Sequence, residues 1–225
     1  MLRFSSFLFP ESRDPDRDVD VIHESLEEAR LCDALGYDVV WLAEHHFDGN
    51  CAYVDPVTFA AAVVAATKRI MVGFAVAQVS LHHPTRLAEQ MSLLDNLSRG
   101  RVIVGLGRGT AYNVYEYQGY GIDPEEALHR YEEAEGIMLK AWTSPEGFQH
   151  EGRFWTLNVP RLRPKPFTQP HPYVIRAASS EHGALHLARR GVPFLMNVQN
   201  MPTTAQRLAL YRETMARAGF DAVHV

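Results

Sequence analysis

Cysteine is the first scarcity of this chain: 225 residues contain two, Cys32 and Cys51. They form no CxxC pair and no metal-ligand spacing, which suits a reducing cytoplasm and leaves Cys32 as a small core residue on the apolar side of a helix. Long apolar runs are missing too, so nothing is expected to span a bilayer. No run of lysine and arginine stands out, and the net charge of −5 is mild. Nucleic acid and anionic membranes are therefore not expected as partners. The N-terminus lacks an extended apolar segment, and Asp14, Asp16 and Asp18 follow soon, which argues against a signal peptide. The histidines show neither HxH nor HExxH spacing, so no metal is expected. There is no short repeat and no low-complexity segment.

What is present is ordinary globular composition, 46% hydrophobic and 22% charged, enough for a sizeable core. Strand-like and helix-like segments alternate. Strands are expected at Leu2 to Phe9, Asp38 to Ala43, Ile70 to Ala77, Arg101 to Leu106, Tyr173 to Ala177 and Pro193 to Val198. A last one begins at Ala222 to Val225. Helices are expected at Val19 to Leu35, with Ile22, Leu26, Ala29 and Leu35 near one face and Gly36 as its stop. Others are expected at Asp55 to Thr67, with Pro56 in its first turn, at Pro84 to Leu97, Pro124 to Trp142, Ser180 to Arg190 and Thr203 to Ala218. A proline- and glycine-rich stretch, 144–172, interrupts the alternation. Within it Gln149 to Trp155 can form a small hairpin.

Alternation with apolar strands predicts a parallel sheet with helices outside. Closed barrels and open doubly wound sheets both fit that pattern. Polar residues decide: Glu44/His45, Gln78/His83, Arg108/Asn113, Ser179/Ser180 and Asn197/Gln199 all follow strands, and no such cluster precedes one. Successive strands supplying one rim is the barrel pattern. The expectation is a single α/β domain over 1–225, a (β/α)8 TIM-type barrel truncated at its C-terminus. It would comprise about six βα units and the start of a seventh strand, where a complete barrel usually needs ~250 residues or more.

The most informative segment is Trp41-Leu42-Ala43-Glu44-His45-His46-Phe47, where a buried strand ends at a carboxylate and two histidines. A histidine at a strand end suits proton transfer. Successive strand residues face opposite ways, so at most one of His45 and His46 is expected at the barrel mouth. For either alone, a hydrogen-bonded structural histidine is an equal alternative. Gly105-Leu106-Gly107-Arg108-Gly109 resembles a phosphate loop loosely: it lacks the last glycine of GxGxxG, but Arg108 offers a forked donor. Ala177-Ala178-Ser179-Ser180 leads into a helix, where serine is either a plain N-cap or part of an anion site.

The order and spacing of several pieces resemble the bacterial luciferase-like flavin monooxygenase family across nearly the whole chain. These pieces are Gly36-Tyr37-Asp38-Val39-Val40-Trp41-Leu42-Ala43-Glu44-His45-His46-Phe47, Thr67 to Gly73, His83-Pro84-Thr85-Arg86-Leu87-Ala88-Glu89-Gln90 and Leu93 to Arg101. The resemblance implies an eight-stranded β/α barrel and an oxidoreductase that uses reduced flavin, usually FMN, with dioxygen to oxygenate a small organic substrate. It implies that His45 is the active-site histidine and that Glu44 lies beside the flavin. Ala75-Val76 matches an unusual non-prolyl cis peptide under the flavin ring. Arg108, Ala178, Ser179 and Ser180 match the phosphate-binding region, and Asn197 joins the cofactor-binding set. Phe9, Phe47 and Tyr112 fall to the substrate pocket, with Phe7 among its apolar walls. Gly107 stands where light-producing members have a reactive cysteine, so bioluminescence is not implied. A flavin reductase is the implied partner, and the full-length protein an implied homodimer. Three alternatives remain: a non-catalytic flavin-binding protein, a deazaflavin-dependent oxidoreductase on the same scaffold, and a metal-dependent hydrolase barrel.

Overall fold

The computed structural model describes residues 3–110 and 112–221. In chain order the elements are β1 (Ser5–Leu8), α1 (Asp18–Leu35), β2 (Val39–Leu42), α2 (Pro56–Ala66), β3 (Met71–Phe74), β4 (Ala77–Gln78), α3 (Pro84–Ser98) and β5 (Val102–Gly107). There follow α4 (Val114–Gly119), α5 (Ala127–Thr143), β6 (Phe148–Glu151), β7 (Thr156–Val159), β8 (Tyr173–Ala177), α6 (Glu181–Ala188), β9 (Phe194–Leu195) and α7 (Met201–Arg217). Two compact units divide within β8, the first ending at Val174 and the second starting at Ile175.

The first unit is a parallel sheet in the order β1-β2-β3-β5, with Ser5 opposite Val39, Val39 opposite Met71 and Val72 opposite Val102. Its strands are short apolar runs, and Val40, Leu42, Val72, Phe74, Val104 and Leu106 are fully buried beneath α2, α3 and α5. Helices α1, α2, α3 and α5 pack side by side in sequence order. Their ends are specified locally. Asp55 Oδ1 accepts the amides of Val57 and Thr58 at 2.9 and 3.2 Å, with Pro56 opening α2. Gly36, at φ 84°, closes α1 in the left-handed conformation. Arg101 donates to the carbonyls of Val64, Thr67 and Ile70, tying the end of α2 to the bottom of β3 and β5. Cys32 is buried, as expected of a core residue.

The expected third strand is in fact two. Its first part ends with the Ala75 amide donating to Leu42 O at 2.9 Å, and after the cis Ala75–Val76 peptide the chain resumes as β4, which pairs with β5 through Ala77–Leu106 and Gln78–Gly107. Leu35, expected on the apolar face of α1, is 66% exposed, because 13 residues at about 100° each set it roughly 140° round the helix from Ile22, away from buried Ala29. The short helix α4 was not expected at all. The hairpin in the 144–172 stretch forms as β6 and β7, held by Glu133, whose carboxylate accepts the amides of Arg153, Phe154 and Trp155.

In the second unit β8 and β9 pair in parallel through Arg176–Phe194 and Ala177–Leu195, over a small core of Ala184, Leu187, Phe194, Tyr211 and Met215. The sixth strand is shorter than expected, two residues rather than six, because Asn197 to Asn200 turn directly into α7. Leu2 and the expected strand start at Ala222–Val225 lie outside the described residues. No described helix is long and apolar enough to cross a membrane.

Candidate active site

Strand β2 delivers Glu44, His45 and His46 to the C-terminal end of the first unit's sheet. The Glu44 side chain has no solvent exposure. Its Oε1 receives Nε2 of His46 at 2.9 Å and Nε2 of His82 at 2.7 Å, while Oε2 accepts the Gln78 amide at 2.7 Å. Burial alone would raise this carboxyl. The hydrogen bonds from His46 and His82, the charge of His82 and the Gln78 amide outweigh burial and lower it to about 2. An ionised Glu44 fixes both imidazoles as Nε2–H donors. Nδ1 of buried His46 is then left as the acceptor for the Tyr120 hydroxyl at 3.1 Å. For His82, burial favours the neutral ring, but the Glu44 carboxylate prevails and raises its pKa.

His45 faces the other way, with 28% of its side chain exposed. Its Nδ1 lies 3.3 Å from Oε1 of Glu116, and that same oxygen accepts the His46 backbone amide at 2.9 Å. Glu116 comes from α4 and is wholly buried. Burial pushes its carboxyl up, but the hydrogen bonds from His45 and the His46 amide help bring it below the ordinary value. In return the Glu116 hydrogen bond, against the opposing effect of burial, raises His45. With Nδ1–H committed to the carboxylate, Nε2 of neutral His45 is a free proton acceptor at the mouth. Sequence reasoning missed Glu116. Its only local signal is a carboxylate in the YEYQGYG run, with no periodicity to mark the helix that carries it.

Around this pair the chain is close-fitted. A Cβ on Gly107 would overlap Val76 Cγ2 and stand 3.0 Å from Val76 Cβ, so the half-buried Val76 side chain fills the space above Gly107. The ring of Trp41 lies over Gly73 in the same way. Phe9 meets His45 edge-on at 5.6 Å between centroids and stacks with Phe7 at 6.0 Å. Phe47 packs on Tyr120 at 5.3 Å. Phe9 and Phe47 are 42% and 59% exposed, whereas Tyr112 is 82% exposed and projects from the surface.

The structure therefore brings Glu44, His45, Phe9 and Phe47 to one end of the first unit's sheet, and the Ala75 amide of the cis Ala75–Val76 peptide bonds Leu42 O, two residues before Glu44. Arg108 follows β5 in that unit; it is exposed, and its guanidinium has no ion-pair partner among the described residues. The remaining expected residues belong to the second unit. There Ser180 caps α6, its hydroxyl accepting the Gly183 amide at 3.1 Å. Ser179 O accepts from Arg207 at 2.9 Å, Ala178 is buried, and exposed Asn197 accepts from Gln199. The N-cap reading of Ser180 thus holds, and its cap bond leaves the first amides of α6 available to an anion. Among the described residues no group of three His, Cys, Asp or Glu is arranged to hold a metal.

A sequence model of the family described as luciferase-like monooxygenase matches residues 2–224. Limonene 1,2-monooxygenase of Rhodococcus erythropolis is 39% identical over 136 residues, 60% of this chain and 34% of that protein. The alkanal monooxygenase alpha chain of Photorhabdus laumondii is 27% identical over 222 residues, 98% of this chain and 61% of that one. The chain thus spans from 34% to 61% of these relatives' lengths. Among solved structures, monooxygenase RslO1 of Streptomyces bottropensis superposes with a TM-score of 0.87 at 29% identity, over 99% of this chain and 68% of that chain. The oxygenating constituent of 3,6-diketocamphane monooxygenase of Pseudomonas putida, solved with FMN, gives 0.86 at 20% identity, over 98% and 64%. An F420-dependent secondary alcohol dehydrogenase gives 0.78 at 22%, over 97% and 65%. The last two likenesses bear on the fold alone. The expected fold class holds: the chain is α/β of the TIM-barrel type, over part of the length of a full barrel protein.

Proposed function

The chain belongs to the luciferase-like monooxygenase family, and from that premise we propose that it binds reduced FMN and, with dioxygen, oxygenates a small organic substrate. The observation that carries the reading is the His45–Glu116 pair at the mouth, a half-exposed imidazole oriented by a buried carboxylate. Reduced flavin supplies the electron pair by which dioxygen is activated for transfer of an oxygen atom. The residues present fit that cofactor. In the first unit Arg108, without an ion-pair partner among the described residues, is a forked donor suited to a phosphate; the second unit, taken by itself, offers the amides at the start of α6 behind Ser179 and Ser180 as anion donors. Ala75 and Val76, both half-buried, are the first unit's proposed backing for the ring; in the second unit, Asn197 is a polar residue proposed for the cofactor-binding set.

In this reading His45 Nε2 accepts and returns the proton that moves at the reacting centre, with Glu116 holding the tautomer. Glu44 supports from behind, locking His46 and His82. Phe9 and Phe47 offer apolar surface that lowers the local water content, and Tyr112 stands at the outer edge. A flavin reductase would supply the reduced cofactor, and a homodimer is the proposed assembly of the full-length protein. Because an F420-dependent enzyme shares the fold, a deazaflavin is the competing cofactor.

The test is an equilibrium titration of the protein with FMN, riboflavin and a deazaflavin, before and after Arg108→Ala. FMN should bind best, and losing a charge-assisted contact of roughly 1.5–3 kcal/mol should weaken it at least about tenfold. Riboflavin, lacking the phosphate, should be unaffected. Equal losses for both would make Arg108 structural, and tighter deazaflavin binding would transfer the reading to hydride chemistry.

A further inference from the structure

The proline-rich segment after β7 takes no part in the site at the mouth. Along it exposed Arg161, Arg163 and Lys165 alternate with the rest of the chain, and Leu162 and Pro166 are buried. With Asn96 and Pro164, these three cations line one hollow of about 360 Å³ in the first unit. No carboxylate lines it, and none of the three cations forms an ion pair among the described residues.

The backbone that carries the cations is held on α3. Asn96 Nδ2 donates to Lys165 O at 2.7 Å and to Ser92 O at 2.8 Å. Asp95, the carboxylate next to Asn96, is buried and engaged: it accepts the Thr168 amide at 2.7 Å and the Thr168 hydroxyl at 3.1 Å. Gln169 Nε2 donates to Pro166 O at 2.6 Å, and Leu162 belongs to the first unit's core. Pro160, Pro164, Pro166 and Pro170 remove further backbone freedom. Phe167 and Thr168 lie against Gly100, just before β5. The hollow is thus at the end of the sheet where β5 begins, whereas His45 stands at the end where β2 finishes.

Like charges around one hollow focus their field there and draw in anions. They do so here in a chain whose net charge is −5. Guanidinium forks match phosphate oxygens, and the ammonium of Lys165 adds a point charge. One phosphate carries about −1.5 to −2 charges at neutral pH, which leaves a cation unanswered. Two joined phosphates answer all three. Ligand sites run from roughly 300 to 1,000 Å³, so a hollow at the small end holds the phosphates and leaves the rest of a larger ligand outside.

We propose that this hollow is a binding site for a diphosphate group, carried by free pyrophosphate or by a nucleotide, and separate from the Arg108 end of the unit. A fixed backbone spares the ordering cost that a flexible loop would meet on binding.

Calorimetry at constant ionic strength with pyrophosphate, ADP, AMP and inorganic phosphate tests it, on the wild type, Arg161→Gln, Arg163→Gln and Arg108→Ala. At least one diphosphate should bind about tenfold or more tighter than AMP and inorganic phosphate, the scale of one further charge-assisted contact. Pyrophosphate ahead of ADP assigns the site to the free anion, ADP ahead assigns it to a nucleotide, and either upholds the diphosphate. Arg161→Gln and Arg163→Gln should each weaken the tighter diphosphate by about tenfold and leave the thermal midpoint and FMN binding as in the wild type. Arg108→Ala should leave diphosphate binding unchanged. No diphosphate binding to the wild type, or inorganic phosphate binding as tightly as pyrophosphate and ADP, would overturn the proposal. So would a loss in Arg108→Ala but in neither glutamine variant, which would put the anion at the mouth.

Discussion

Nδ1 of His45 and Oε1 of Glu116, 71 residues apart in the chain, lie 3.3 Å from one another. The same Glu116 oxygen accepts the His46 amide, so one buried carboxylate fixes both the backbone and the imidazole at the end of β2. The pair links the strand that bears the histidine to a helix laid down after β5.

Glu116→Gln should lower the titration midpoint of His45. Glu116 is the first cause of the raised value, and a neutral amide cannot stabilise the imidazolium. The sign for stability follows. This pair stabilises the fold fully below the unfolded histidine's ordinary value of about 6.5, and the contribution is lost as pH rises through the raised folded value. An NMR titration of the imidazole signals, wild type against variant, reads this directly; an unchanged His45 midpoint would sever the pair.

Glu44 governs the opposite end of the pH scale. Its carboxyl falls from 4.5 to about 2 on folding, so the stability it contributes is present above 4.5 and drains away as pH falls toward 2. Glu44→Gln should cost about 3–5 kcal/mol at neutral pH, the penalty of leaving buried partners uncompensated. It should also flatten the stability profile over that acid window. Urea unfolding at a series of pH values checks both statements, and parallel acid limbs for the two proteins would contradict them.

Gly107→Ala should destabilise the protein by about 1–3 kcal/mol, since the new methyl meets Val76 directly. Val76→Ala removes the overlapping Cγ2 but keeps the Cβ at 3.0 Å, so the double variant should recover part of that loss. Thermal or denaturant unfolding of all four proteins closes the cycle, and additive losses would mean that the two side chains do not share the space.

His45 and His46 should fail differently. On the proposed monooxygenase reading, His45→Ala in the full-length protein is expected to cut substrate oxygenation by ~10²-fold or more, the scale of general acid–base help, while FMN still binds. His46→Ala should act mainly on stability, because it strips Glu44 and Tyr120 of a shared partner inside the protein. Turnover and unfolding measured on both variants separate the roles; wild-type rates in His45→Ala would remove it from proton transfer.

The alternation of elements was legible because it rests on short-range physics. Apolar runs such as Val39-Val40-Trp41-Leu42 and Val102-Ile103-Val104 announce buried strands, and Asp55-Pro56 and Gly36 announce helix ends. The division of the third strand at Ala75-Val76 could not be read from hydropathy, since both residues suit a strand as well as a break in one. The exposure of Leu35, by contrast, was legible in the helical spacing, which sets it well round from Ile22 and Ala29.

By itself, the sequence determined the parallel α/β architecture, the family, and the arrival of Glu44, His45 and His46 at a strand end. Only the tertiary structure decided their chemistry. Which imidazole is sealed and which stands at the mouth depends on Gln78, His82, Glu116 and Tyr120, drawn from segments 34 to 74 residues away. A carboxylate's proton affinity reflects burial balanced against the donors that reach it, and both are set by how the chain packs rather than by its neighbours in sequence.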